Sequence, residues 1–154
     1  MALRNDLYLA VSNKLDQLNR FEWIDLYKAQ LDNKNEAYPT GFPCAFVSVS
    51  RIQYEDMTMN AQEGNAQVDV WLFFNKGGDT FMDAADKSHS LEVVDITDEV
   101  VRAIQWLEGD TFTPLQQTGD VDITEQFKRP AYKLSFTTET YTKLINPHYV
   151  TILN

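Results

Sequence analysis

Two histidines, His89 and His148, and a single cysteine, Cys44, are all that this chain of 154 residues offers for imidazole or thiol chemistry. Ser88-His89-Ser90 sets hydroxyls beside an imidazole, but neighbours along a helix point apart, so the spacing builds no Ser–His pair. His89 reads as a cap or surface residue, and His148, after Asn146-Pro147, as structural. Cys44 lies in an apolar run far from either histidine and reads as a small buried hydrophobe. With no CxxC, HExxH or Gly-rich phosphate loop, zinc and nucleotide chemistry lack support. Carboxylates remain. Asp120 and Asp122, two apart on an extended segment, share a face and could hold a divalent ion. Glu55, Asp56 and Glu63 could hold Mg²⁺ between subunits. Spacing fixes no further ligand in either set, and hydrated surface charge is the plainer reading. A pocket lined by Trp23, Trp71 and Trp106 with acids such as Asp69 is the arrangement a small enzyme or ligand-binding domain would use. The expectation is no catalytic residue, no cofactor and no metal.

The elements that must position these groups follow from hydrophobic period. Leu3, Leu7, Val11, Leu15 and Leu18 recur at spacings of four and three, predicting an amphipathic helix over 3–18. Phe21 to Lys28 alternates with apolar groups on both faces and reads as a strand. Tyr38-Pro39-Thr40-Gly41-Phe42-Pro43 is a loop, since two prolines around a glycine continue neither a helix nor a central strand. A long hairpin over 43–76 follows. Ala45, Val47 and Val49 alternate with Phe46 and Ser48, and Val68, Val70 and Leu72 alternate with Asp69, Trp71 and Phe73. Between its strands, Tyr54–Asn65 shows no strand period and reads as a flexible arm.

A central helical region over 80–108 carries the stripe Val93, Ile96, Val100, Ile104, Leu107, with Asp79 or Thr80 as cap and Gly109 at the left-handed position past its end. Extended segments over 112–141 include a break at Thr118-Gly119-Asp120 and a clear strand from Ala131 to Tyr141. The tail, 144–154, is apolar enough to dock on its own domain or a neighbour. One domain over 1–154 is expected. Its class is α+β: an antiparallel or mixed sheet of about four or five strands, packed by the N-terminal helix and the long central helix.

Two surfaces stand out. Trp71 and Phe73 lie opposite Val68, Val70 and Leu72, so both faces of the hairpin want burial; one can take the helices and the other a neighbouring chain. Trp23, Trp71 and Phe73, with Tyr54, Met57 and Met59 of the arm, are the interface candidates. The central helix is strongly acidic outward, through Asp83, Asp86, Asp95, Asp98 and Glu99, in a chain of net charge −10. That balance argues against holding nucleic-acid phosphates or anionic membranes, and it lets DNA pass without sticking. No apolar run approaches membrane-spanning length and no signal peptide opens the chain, so a cytosolic protein is expected.

The order of helix, Tyr38-Pro39-Thr40-Gly41-Phe42-Pro43-Cys44-Ala45-Phe46-Val47-Ser48-Val49, hairpin with Gln67-Val68-Asp69-Val70-Trp71-Leu72-Phe73-Phe74, long helix and closing strand Ala131–Thr138 resembles the small tail-terminator and tail-completion proteins of long-tailed bacteriophages and prophages, including the lambda-type minor tail protein. The likeness spans nearly the whole chain and lies in element order and length. It implies a non-enzymatic subunit that assembles in the host bacterial cytoplasm into a hexameric ring on the virion tail. The ring would stop growth of the tail-tube protein and meet the head–tail connector, with DNA passing through an acidic lumen. A connector or neck protein of the same region would share the pattern.

Overall fold

The computed structural model describes residues 3–31, 39, 41–57, 61–75 and 91–143. Helix α1, Leu3–Gln17, contains no proline or glycine and carries Asp6 in its first turn and Lys14 in its last, each favourable to the helix dipole. Leu3, Leu7, Val11 and Leu15 fall on one stripe, and all four are buried. Complete burial of each of the last three stabilises by roughly 1.5–3 kcal/mol. The helix ends through short-range bonds from Leu18 N to Leu15 O and Asn19 N to Asp16 O, with Asn19 in the left-handed region.

Strands β1 (Trp23–Leu26), β2 (Cys44–Met57), β3 (Ala61–Phe73), β4 (Gln116–Asp122) and β5 (Ala131–Lys143) form one five-stranded sheet in the order β1-β2-β3-β5-β4. β1 runs parallel to β2, and the other neighbours are antiparallel, so the sheet is mixed and the fold is α+β. The hairpin strands reach further than their period suggests. Register shifts between Val49 and Arg51 and between Tyr54 and Met57 break the alternation without ending the strand. Tyr54–Met57 and Ala61–Asn65, read from sequence as a periodless arm, are therefore ladder, paired with each other and, on the β3 side, with β5.

Helix α2, Glu92–Ile104, is the described part of the central helical region. Ile96, Val100 and Ile104 are buried on the sheet beside the α1 stripe. It stops earlier than expected: Gln105 leaves the helix, and Trp106 takes the left-handed position at φ 68° that was expected of Gly109. Gly109 serves another purpose, since a Cβ there would meet the Phe112 ring at 2.5 Å, and Gly109 bridges Phe112. Thr118 is skipped in the β4–β5 register, which accounts for the break seen in sequence. The expected connector at Phe127-Lys128-Arg129-Pro130 begins with a short helix, α3 (Thr124–Phe127), closed by Lys128 at φ 57°.

The sheet buries both faces. On one, Ala45, Val47, Val49, Val68, Val70, Leu72, Leu134 and Phe136 meet α1 and α2. On the other, Cys44, Phe46, Phe73 and Ala131 form a second, smaller core against Trp23, Tyr27, Leu31, Phe42, Trp71, Ile123 and Phe127. The chain covers that second face itself around Phe73, where sequence reading offered it to a neighbour.

Candidate interaction surfaces

The second core is aromatic and tightly ordered. Tyr27, just past the end of β1, stacks on Trp71 with ring centroids 4.1 Å apart and planes within 2° of parallel. Phe73 is fully buried, edge-on to Phe46 at 5.7 Å and to Phe127 at 4.9 Å. Two cations ride on the rings: Lys133 Nζ lies 4.8 Å from the Trp71 centroid, and the Arg129 guanidinium 3.9 Å from that of Phe42. Trp23 and Trp71 belong to this face, as their positions on the strands predict. Their indole N–H groups are buried with no hydrogen-bond partner among the described residues. A buried donor left unmade costs about 1–3 kcal/mol, so two on one face mark it as the least satisfied part of the sheet.

Asp69 lies beside this core on β3, 2% exposed. Ser135 Oγ and Gln67 Nε2 donate to its Oδ1 at 2.7 and 3.0 Å, and Lys133 Nζ stands 3.8 Å from Oδ2. It is occupied by its own strand neighbours. Trp106 is elsewhere, 64% exposed at the end of α2, in a shallow cleft with Asn65, Pro114, Gln116 and Thr137. Trp23, Trp71, Trp106 and Asp69 thus do not converge on one pocket.

The described residues of the arm lie at one end of the β2–β3–β5 ribbon. Tyr54 and Tyr141 are 44% and 50% exposed, and Glu55 accepts from Asn65 Nδ2 at 3.1 Å. Glu55, Glu63 and Glu139 border a small hollow there with Tyr141. Met57 ends β2, while Met59 lies outside the described residues.

On α2 the acidic face is partly neutralised. Arg20 donates through Nε and Nη2 to Glu99 at 2.9 and 3.0 Å and through Nη1 to Glu92 at 2.9 Å, tying the α1–β1 connection to α2. The carboxylates in turn raise the Arg20 pKa, Glu99 first. Asp98 pairs with Arg102 one turn on, and Asp95 is exposed. Asp83, Asp86, His89 and His148 lie outside the described residues.

Asp120 and Asp122 are both exposed on β4. Asp122 accepts the backbone N–H of Thr124 at 2.9 Å, and hydrogen bonding to the Thr124 side chain and backbone lowers its pKa. The nearby Tyr132 phenol is pushed up by burial first, then by Asp122 and Asp120. No third histidine, cysteine or carboxylate joins them in a metal-sized cluster among the described residues. Burial pushes the Cys44 thiol up to about 12, so it is neutral and enclosed. A cleft of about 670 Å³ opens where β1 ends, lined by Arg4, Tyr8, Asp25, Tyr27, Lys28 and Ser48. Burial and then Asp25 raise the Tyr8 phenol there. No described helix is long and apolar enough to cross a membrane.

No family model matches this sequence, and no curated protein matches it. Among solved structures, the fold is similar to a PVC sheath/tube terminator of an extracellular contractile injection system in its extended state, solved by electron cryo-microscopy. The likeness has a TM-score of 0.54 at 12% identity and covers 100% of this chain. This chain spans 62% of that protein's length.

Proposed function

We propose that this chain is a non-enzymatic structural protein, a tail-terminator-like subunit that assembles into a hexameric ring, caps a tail tube and presents a surface to the head connector. The observation that carries the reading is the fold likeness to a sheath/tube terminator over the full length of this chain. A closed ring joins unlike patches head to tail. Trp23 and Trp71, with two indole donors unmade, and the arm at Tyr54, Met57 and Met59 are the patches assigned to it. The acidic residues Asp83, Asp86, Asp95, Asp98 and Glu99 suit a lumen that DNA crosses without binding. Assembly in the host cytoplasm and residence in the virion tail follow from the same reading, and a connector or neck protein of the same region is the alternative.

The test is light scattering and negative-stain microscopy of the purified chain, alone and with tube protein. Ring particles of about six subunits are expected. A variant replaces 55–63 with a two-residue turn, closing the hairpin at the Tyr54–Gly64 pair. It should keep its circular dichroism and lose assembly. Unfolding of that variant, or a chain that never enters rings even with tube protein, overturns the assignment.

A further inference from the structure

β1 is four residues long and β2 fourteen, so most of the outer edge of β2 is left over. Pairing stops with Tyr27 N donating to Val47 O at 2.9 Å, and the Arg4 guanidinium then covers Val49 O. Beyond it, among the described residues, no strand lies on that side of β2. Arg51, Gln53, Tyr54 and Glu55 are exposed there. A strand edge with free N–H and C=O groups is a template for another strand, and natural edges are usually blunted by charge or bulges. Here the bulges bracket the edge instead of interrupting it: the stretch Arg51–Tyr54 keeps regular pairing with Gln67–Gly64 between two register shifts.

The chemistry of that stretch selects its partner. Arg51-Ile52-Gln53-Tyr54-Glu55 has its two charges of opposite sign equidistant from Gln53. Arg51 and Gln53 share one face and Ile52 and Tyr54 the other, and Glu55, where the second register shift begins, accepts from Asn65, the partner of Gln53, on the Gln53 side. When a second copy is laid antiparallel about Gln53, each Arg51 stands opposite a Glu55 and each Ile52 opposite a Tyr54. Opposite charges and aromatic–β-branched pairs are the cross-strand combinations that stabilise an antiparallel ladder. In the isolated chain the same groups only bond along their own sheet, Arg51 to Gln53 and Asn65 to Glu55.

We infer that the outer edge of β2 beyond Val49, without a strand neighbour among the described residues, is a two-fold pairing surface for a second copy of this chain, joining two sheets edge to edge in a register centred on Gln53. The contact is isologous, unlike the head-to-tail contacts of a ring, and stands without the ring reading. It occupies the arm, so a paired subunit is held out of any assembly that needs the arm free. The regular stretch is short, which makes the pairing reversible and concentration-dependent.

Sedimentation velocity over a wide concentration range tests it on the full chain and on R51E, E55R and R51E/E55R. Each single reversal puts like charges opposite each other twice and should weaken dimerisation roughly tenfold. The double reversal restores the pairs and should recover it. Gln53→Cys should give an inter-chain disulfide on mild oxidation, because the two-fold axis sets Gln53 beside its own copy, while Cys44 is buried and neutral. A wild-type chain monomeric throughout overturns the inference. So do single reversals that dimerise like wild type, a correctly melting double variant that stays weak, or no disulfide at position 53. Absence of rings on tube protein bears only on the terminator reading.

Discussion

At the scale of single residues, the polar atoms say more than the apolar ones. Asp69 would be a poor place to leave a charge, and Ser135, Gln67 and Lys133 surround it for that reason. Its position on the inward face of β3 and its neighbour Gln67 could be read from the alternation of the strand, but Ser135 and Lys133 come from β5 and could not. Gly64 is the sharpest steric case. A Cβ there would lie 2.7 Å from Gln53 O and 3.2 Å from Thr140 Oγ1, and backbone cannot swing aside as a side-chain tip can. Gly64→Ala should destabilise by roughly 1–3 kcal/mol in urea titration, as overpacking does. Gly119→Ala, whose Cβ would sit at an ordinary 3.7 Å from Ser135 Cβ, should be close to neutral. Equal effects from the two would show that crowding is not what fixes Gly64.

Among the elements, ends and edges carry the information. α1 was legible almost to the residue, because four buried leucine-type positions at helical spacing leave one solution. The end of α2 was not. Gly109 is the residue type that ends helices, yet the turn comes at Gln105–Trp106, because Trp106 N and Leu115 N are claimed by Leu115 O and Leu107 O in the return of the chain. Tertiary hydrogen bonding outweighed the preference of glycine for positive φ. α3 is started by Asp122, whose carboxylate accepts from Thr124, so its pKa is depressed in the folded chain. A carboxyl with folded pKa below its unfolded value adds stability above the unfolded value, about 3.9, and loses it as pH falls through the folded one. Thermal melts should therefore show Asp122→Ala less stable than wild type at neutral pH, with the gap closing in acid below that value. A gap independent of pH would mean that the side chain acts through packing alone.

For the whole molecule, the question is how much of the second sheet face belongs to the subunit itself. Phe73 is enclosed by Phe46 and Phe127, whereas Trp71 is half-buried under Tyr27 and Lys133. Phe73→Ala should cost about 3–5 kcal/mol in the isolated chain, since the cavity forms inside a closed core. Trp71→Ala should cost less than Phe73→Ala there, because part of its ring already faces solvent. A milder loss at Phe73 than at Trp71 would mean that the smaller core is not closed until another chain arrives. Beside that core, the outer edge of β2 beyond Val49 has no strand neighbour among the described residues.

Read alone, the sequence determined the class, the α1 stripe, the two-faced hairpin and the acidic character, because each depends on local period or on composition. Tertiary structure decided what covers the second face, where α2 ends, and that the described residues of the arm belong to β2 and β3. Those outcomes depend on backbone groups from distant segments meeting, Tyr27 with Val47 and Leu115 with Leu107, and no local spacing encodes such a meeting. The same holds for the candidate surfaces: the aromatic residues were visible from their types, but that their indoles and the outer edge of β2 lack partners among the described residues emerges only once the sheet order is fixed.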